Sequence, residues 1–225
     1  MKILLGISGA SGAVYGVRAG AAFLAAGVEL HLLVTKTAWE IMAGEIAGTP
    51  PPPSHSARKQ WIARLLPAPR GKCLLHAEDD FRIPFASGSN PPDAVIIAPC
   101  SMGMLGRIAH GVSTSLLERC ADVALKEKKP LVLVPRETPL SSIHLENMLI
   151  LSRAGAEILP ACPGFYHRPA SVEELVDFVV SRILSRVGVG TALHPRWGEA
   201  TEGEEDVGAI KTRRAEPLRR LRRNR

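Results

Sequence analysis

The chain has 225 residues, 46% of them hydrophobic, and a formal net charge of +6 at pH 7. That length and hydrophobic content fit one α/β domain with a complete core, and they exclude a disordered chain. Residues 211–225 hold eight Lys or Arg and one Glu, so the rest of the chain is nearly neutral and the charge does not indicate a nucleic-acid-binding surface.

Predicted strands and helices alternate along the chain, as judged from the period of the apolar residues and from turn residues. The predicted strands are 2–8, 28–34, 94–98, 131–134 and 157–159, with one more short strand possible within 70–92. The predicted helices are 13–26, 35–46, 57–66, 101–109, 114–128, 142–154 and 171–187. The proline-rich residues 48–56 predict a surface excursion.

This alternation predicts a three-layer α/β fold, with a mostly parallel sheet and helices on both faces. Ligands bind at the carboxyl ends of the strands in such sheets. We therefore expect a site at the turns that follow Ser8, Val34, Ala98 and Val134, and in the loop after Leu159.

We expect the domain to span residues 1–198 and residues 199–225 to form a charged, disordered tail. No apolar run reaches the roughly 18 residues that cross a bilayer. Met1 leads directly into a strand-like segment without the pattern of a signal peptide, so we expect a cytoplasmic protein. The four cysteines have no short paired spacing, which indicates neither a zinc site nor a disulfide framework.

The first strand-to-helix turn has the sequence SGASG at residues 8–12. Its glycines allow a close backbone approach, and the following helix N-terminus favours an anion. The pattern is neither the three-glycine dinucleotide fingerprint nor a P-loop. Phosphate binding and an ordinary turn of this fold are both open interpretations.

A second strand-to-helix turn contains Cys100 and Ser101. Ser101 is a candidate N-cap, and the small residues around it would let a ring or a phosphate come close. Cys100 is more consistent with a buried structural thiol than with a nucleophile, because no basic residue stands beside it.

Two groups of charged residues follow. Arg119, Asp122 and Lys126 share one helix face, where an exposed Asp122–Lys126 ion pair is the alternative to an anion site. Arg136 and Glu137 directly follow a buried strand, which suits an anion clamp and a general acid or base, although structural Arg–Glu pairs also occur at such places.

The loop at residues 164–169 has the sequence GFYHRP in a chain with few aromatic residues. It suggests an apolar wall with a phenol and cations at its rim, and the alternative is a loop anchored by buried rings. Trp197 lies beyond the last predicted helix and suggests docking on another surface, such as a second subunit.

Taken together, the segments GISGASGAVYG, ASGS, APCSMGML, VPRETPLSSIHLEN, CPGFYHRP and PRWGE resemble the UbiX/Pad1 family of flavin prenyltransferases, and the similarity spans residues 2–199. The resemblance implies a flavodoxin-like or Rossmann-like sheet that binds FMN and needs no metal. It implies transfer of a dimethylallyl group from dimethylallyl phosphate to N5 and C6 of reduced FMN, an activity of ubiquinone biosynthesis. It also implies a homo-oligomer, a dodecamer in the family, whose prenylated FMN serves a UbiD-type decarboxylase.

The resemblance also assigns roles to residues. The FMN contacts that it implies are Gly9, Ala10, Ser11, Thr35, Ser87, Ser101 and Arg136. The implied contacts to dimethylallyl phosphate are Arg119, Lys126, Tyr166 and Arg182, and the implied catalytic residues are Ser11, Glu45 and Glu137. Phe81 departs from the pattern, because some relatives carry Trp there, which has a stronger cation–π face. We expect this departure to affect the rate rather than the reaction type.

Two other functions stay open. One is an FMN-dependent cysteine-type decarboxylase, which in related flavoproteins uses a His near the first helix, whereas the first His here is His31 on a predicted strand. The other is a non-catalytic flavin carrier, for which replacement of Lys126 or Glu137 would leave cellular function intact.

Overall fold

One six-stranded sheet forms the centre of the computed structural model, which describes residues 1–68, 70–190 and Leu193. The strands are β1 (Lys2–Ile7), β2 (Glu29–Val34), β3 (Lys72–His76), β4 (Ala94–Cys100), β5 (Leu131–Pro135) and β6 (Glu157–Ile158). Their spatial order is β3-β2-β1-β4-β5-β6, and every neighbouring pair is parallel. This is the order of a Rossmann-type doubly wound sheet, so the predicted fold class is confirmed.

The described residues form seven α-helices, six of them between strands and the last after β6. They are α1 (Ala13–Ala25), α2 (Lys36–Met42), α3 (His55–Leu65), α4 (Met102–Ala109), α5 (Leu116–Lys126), α6 (Ser142–Arg153) and α7 (Val172–Arg186). In six of them a Ser or Thr side chain at the N-cap accepts a hydrogen bond from a backbone N–H three residues later; these caps are Thr35, Ser54, Ser101, Ser115, Ser141 and Ser171. Helix α1 differs, because its N-cap is Gly12.

The helices cover both faces of the sheet. Alternate residues of a strand point to opposite faces, so Ile3 and Leu5 join one core cluster while Leu4 joins the other. Helices α1, α2, α3 and α7 pack on the first face, and α4, α5 and α6 on the second. Helix α1 approaches β4 so closely that a Cβ on Gly16 would collide with the carbonyl oxygen of Ala98.

Two predicted elements need correction, and one suggested strand is confirmed. Strand β4 does not end at Pro99, because the Pro99 carbonyl accepts a hydrogen bond from Ser8 and the strand pairs again with β5 at Cys100. The helix predicted to reach Ile46 divides into α2 and a π-helical turn, Ala43–Ala47. The short strand suggested within 70–92 is β3, and a 3-10 turn, Pro84–Ala86, follows it.

Several expectations concern residues that the structure does not describe. They are the role of Trp197, the end of the domain at residue 198 and the tail at residues 199–225. Within the described residues, no helix has both the length and the hydropathy needed to cross a bilayer.

Candidate active site

The strand order reverses between β1 and β4, and the turns after these two strands lie side by side. Ser8, almost fully buried, joins them: its backbone N–H and its hydroxyl donate to the Pro99 carbonyl at 3.2 Å and 3.0 Å. Its Oγ also accepts from the N–H of Ser101 at 2.8 Å. In doubly wound sheets, ligands bind in the crevice at this reversal. Ser8 is not among the residues predicted for the site, because its adjacency to β4 depends on the strand order.

Arg136 connects β5 to the first turn, as the predicted clustering required. Its Nε donates to the carbonyl oxygen of Ser11 at 2.8 Å. Glu137 is exposed and accepts instead from the N–H of Thr138 at 3.0 Å, so the adjacent Arg136 and Glu137 bond different partners. The guanidinium of Arg136 is therefore fixed over the first turn, and the carboxylate of Glu137 lies at the surface.

Glu45 occupies the N-terminus of α1. Its carboxylate accepts hydrogen bonds from the N–H of Gly12 at 3.0 Å and from the N–H of Ala13 at 2.9 Å. Gly12 has a φ of 100°, which a residue with a side chain rarely adopts. The N–H groups of Gly12 and Ala13 thus bond a carboxylate of the same chain, a negative charge of the kind that a helix N-terminus favours.

The turn after β2 lies beside the first turn. Thr35 is buried, its N–H donates to the carbonyl of Ile7 at 3.1 Å, and its Oγ1 accepts from the N–H of Ala38 at 3.3 Å. A Cβ on Gly9 would lie 2.9 Å from Cβ of Thr37. Position 9 therefore requires glycine for packing, and the predicted contacts Gly9 and Thr35 lie on neighbouring turns.

A second part of the site, here called the α5 group, consists of Ser87, Gly88, Arg119 and Lys126. Arg119 donates from Nε to the carbonyl of Ala86 at 3.0 Å. A Cβ on Gly88 would collide with Nζ of Lys126, which shows how closely the loop at residues 84–89 lies against α5. The structure thus brings Ser87 to the two predicted cations.

The ion pairs of α5 differ from the expected Asp122–Lys126 pair. Asp122 accepts from Nη1 of Arg119 at 2.8 Å, and Lys126 pairs with Glu127. Asp122 lies one turn from both Arg119 and Lys126, and it pairs with Arg119. Lys126 instead extends towards the loop at Gly88. Both cations therefore have a carboxylate beside them.

A third part, here called the α7 group, consists of Tyr166, Phe178 and Arg182. The rings of Tyr166 and Phe178 meet edge to face with centroids 5.8 Å apart, and the guanidinium carbon of Arg182 lies 5.5 Å from the Phe178 centroid. Tyr166 and Phe165 are 40% and 67% exposed. The exposed rings contradict the alternative of a loop anchored by burying them and agree with a wall that carries a phenol and a cation.

The α5 group and the α7 group lie on opposite faces of the sheet. Helix α5 packs on the core that contains Leu4 and Leu33, whereas α7 packs on the core that contains Ile3 and Phe23. Within one chain, the sheet therefore separates Lys126 from Arg182, two residues expected to bind the same phosphate.

The cysteines do not supply a nucleophile in the turn after β4. Burial raises the pKa of the Cys100 thiol to about 12, so the thiol stays protonated near neutral pH. Cys162 is exposed and, with Arg136 and Glu137, lines a cavity of about 230 Å³. Among the described residues, no group of three or more His, Cys, Asp or Glu is placed to hold a metal ion.

His31 lies inside the sheet rather than at its carboxyl edge. Its Nδ1 is 2.8 Å from Nε2 of His76, and its Nε2 is 2.9 Å from Oε1 of Glu29. Burial lowers the pKa of His76 to about 4. A larger cavity of about 1040 Å³ lies between α3 and the edge strand β3, and both His76 and Phe81 line it.

Comparisons with known proteins agree with this arrangement. The model of the flavoprotein family matches residues 1–184. A flavin prenyltransferase UbiX of Pseudomonas aeruginosa is 50% identical over 198 residues, which cover 88% of this chain and 94% of that protein.

Two solved structures share the fold at similar levels of identity. A UbiX protein in complex with FMN and dimethylallyl pyrophosphate has a TM-score of 0.78 at 37% identity, and the match covers 89% of this chain and 98% of that one. A dodecameric FMN-dependent UbiX-like decarboxylase from Escherichia coli O157:H7 has a TM-score of 0.76 at 39% identity, covering 89% of this chain and 100% of that one. The resemblance drawn from the sequence is confirmed, and the chain belongs to the flavoprotein family as one of its UbiX flavin prenyltransferases.

Proposed function

We propose that this protein transfers a dimethylallyl group from dimethylallyl phosphate to N5 and C6 of reduced FMN, and that the prenylated FMN serves a UbiD-type decarboxylase. The observation that carries the proposal is the bond from Arg136 to the Ser11 carbonyl, which fixes a cation at the β1–β4 reversal. The relative that binds FMN and dimethylallyl pyrophosphate supports the identity of both ligands.

The residues at the carboxyl edge of the sheet fit FMN. The turns after β1, β2, β4 and β5 offer small residues, hydroxyl groups and one guanidinium, which suit a planar ring with a phosphate. The residues that would hold FMN are Gly9, Ala10, Ser11, Thr35, Ser101 and Arg136 at this edge, together with Ser87 from the loop at residues 84–89. When bound in its reduced form, FMN supplies the nucleophilic nitrogen and the ring carbon that receive the five-carbon unit.

The cations of the site would act on the leaving group. Cleavage of the allylic carbon–oxygen bond releases a phosphate, and fixed positive charges stabilise the negative charge that develops on it. Lys126 and Arg119 would bind this phosphate in place of Glu127 and Asp122, with Arg182 and the hydroxyl of Tyr166 completing the shell. No metal is needed where such cations neutralise the phosphate.

Glu137 has a proposed role in proton transfer, and Glu45 and Ser11 have proposed roles in holding the first turn in place. The exposed carboxylate of Glu137 would accept the proton that leaves C6 when the carbon–carbon bond to C6 closes. Glu45 holds the N–H groups of the first turn, and Ser11 presents its carbonyl to Arg136. The aromatic rings of Phe165 and Tyr166 would exclude water from the allylic cation.

We also propose that the active site forms between copies of the chain. Helices α5 and α7 pack on opposite faces of the sheet within one chain, and a junction of two copies would bring the α5 group of one beside the α7 group of the other. Helix α6 exposes a row of large aliphatic side chains suited to such contact, namely Ile143, Leu145, Leu149 and Ile150. The dodecameric relative supports this assembly.

Anaerobic incubation with reduced FMN and dimethylallyl phosphate, followed by mass spectrometry of the extracted flavin, tests the reaction. We expect the flavin to gain one five-carbon unit, and a parallel incubation with the pyrophosphate identifies the preferred donor. Bound FMN of unchanged mass with both donors would contradict the proposal and favour the carrier function.

The cysteine decarboxylase alternative lacks its general acid or base here. Both ring nitrogens of His31 are within hydrogen-bond distance of Glu29 and His76, and the residue is buried on β2. Incubation of the FMN-loaded protein with a peptide ending in cysteine checks this alternative, and we expect no release of carbon dioxide.

A further inference from the structure

Glu118 is the most completely buried carboxylate among the described residues, and it lies in the first turn of α5. Its side chain is 2% exposed. Oε2 accepts from the N–H and the hydroxyl of Thr114, both at 2.8 Å, and from the N–H of Ser115 at 2.9 Å. Oε1 pairs with Nε of Arg107. Four donors from three residues thus converge on one carboxylate.

These bonds join two helices of the same sheet face. Arg107 belongs to the last turn of α4, the helix that Ser101 caps, while Thr114 and Ser115 lead into α5. Burial by itself would raise the pKa of the Glu118 carboxyl, but the hydrogen bonds from Arg107, Thr114 and Ser115 outweigh burial and lower it. The carboxylate is therefore ionised near neutral pH and holds the start of α5 against the end of α4.

The next residue, Arg119, belongs to the α5 group and lies on that same turn of the helix. Its guanidinium bonds the Ala86 carbonyl, and Ser87 follows directly in the loop that lies against Lys126. The bond from Arg119 to the Ala86 carbonyl therefore links the first turn of α5 to the loop at residues 84–89.

We propose that Glu118 is a positioning residue for the α5 group. It fixes the first turn of α5 and thereby the position of Arg119. Arg119 in turn holds the loop that carries Ser87. The kinetic effect expected from this inference rests on the proposed function, in which Arg119 and Lys126 bind the phosphate of the donor.

The Glu118→Gln variant tests it, since glutamine keeps the size and one oxygen but removes the charge. We expect the KM for dimethylallyl phosphate to rise about tenfold while kcat changes less than about threefold. The exposed Glu40→Gln variant on α2 serves as a matched control with unchanged kinetics. Arg107→Lys keeps the ion pair and should retain the wild-type KM. A lower melting temperature for Glu118→Gln with an unchanged KM would overturn the proposal.

Hydrogen exchange separates this inference from the proposed reaction, because it needs no turnover. We expect amides of the loop at residues 84–89 to exchange faster in Glu118→Gln than in the wild type or in Glu40→Gln. Faster exchange confined to residues 110–118 would show that Glu118 stabilises only its own segment, and would overturn the inference. If the wild type formed no prenylated flavin, the proposed function would fail while the exchange result still decided the positioning role.

Discussion

The α5 group and the α7 group carry similar charges but are held in different ways. In the α5 group, Arg119 bonds the Ala86 carbonyl and Asp122, and Lys126 pairs with Glu127 and abuts Gly88. In the α7 group, Arg182 lies over the ring of Phe178, and the neighbouring Phe165 and Tyr166 expose large apolar rings.

The difference indicates that the chain arranges one half of the site by itself and presents the other half on its surface. The bond to the Ala86 carbonyl holds Arg119 in place before a ligand binds, and a phosphate would replace only the carboxylate partners of the two cations. Exposed rings around a guanidinium form a surface that another subunit would cover at a low desolvation cost.

Replacement of Lys126 by Ala should have the largest effect on activity. Loss of this ammonium removes a cation from the leaving phosphate, and we expect kcat/KM for prenyl transfer to fall by about 100-fold or more. The measured quantity is the rate of formation of prenylated FMN. Lys128→Asn is the matched control, because Lys128 is exposed two residues away with a φ of 57°, which Asn tolerates. Equal losses in both variants would show that activity depends on the overall surface charge rather than on Lys126 itself.

Mixing two inactive variants tests whether the two groups meet between subunits. If copies of Lys126→Ala and Arg182→Ala exchange subunits, some sites combine an intact α5 group with an intact α7 group. Random mixing should restore about a quarter of wild-type activity. A mixture of Lys126→Ala and Arg119→Ala is the control and should stay inactive, because both changes lie in the α5 group. No recovery in the first mixture, with subunit exchange confirmed by mass, would place both groups in one chain's site.

Acid should weaken the folded state through the histidines beside the α5 group. His31 packs edge to face on Phe85, in the turn that leads to Ser87. The folded-state pKa of His76 is about 4 and its ordinary value is 6.5, so the unfolded chain binds more protons between these values. The free energy of unfolding therefore falls as the pH drops from about 6.5 towards 4.

We expect the wild type to lose about 1 to 2 kcal/mol more unfolding free energy than His76→Gln between pH 7 and pH 5. Urea unfolding at the two pH values measures this difference. His110→Gln is a suitable control, because His110 is exposed at the end of α4. Parallel pH dependence of wild type and His76→Gln would mean that burial of His76 does not set the acid sensitivity.

The Phe81→Trp variant should have the smallest effect. Phe81 is 45% exposed and lines the cavity beside β3, so a larger ring fits without disturbing the core. We expect the rate of prenyl transfer to change by less than about threefold. A gain of tenfold or more would instead place residue 81 against the allylic cation, and would make this loop a further contributor to the site.

The sequence predicted the fold well because the apolar period and the N-cap residues are local signals. Ser101 is an example, since it caps the helix that its position suggested. The spacing of Ser115 and Glu118 is that of a capping box, a signal present in the sequence that indicates how α5 begins.

The contacts that set the site's geometry were not predictable in the same way. Glu45 bonds residues 33 and 32 positions earlier, and Arg136 bonds Ser11 across 125 positions. Such contacts depend on which strands become neighbours, and the helical period of the sequence carries no information about strand order. The separation of Lys126 from Arg182 likewise follows from the sheet faces on which their helices pack.

The π-helical turn at Ala43–Ala47 makes the start of α1 depend on the number of residues in the segment that carries Glu45. An α-helix rotates by about 100° per residue, so deletion of one residue that restored regular α-helical bonding would swing Glu45 around the helix axis and away from Gly12 and Ala13. Insertions and deletions in this segment would therefore harm the first turn of α1 more than substitutions would, even though the two segments are distant in the sequence.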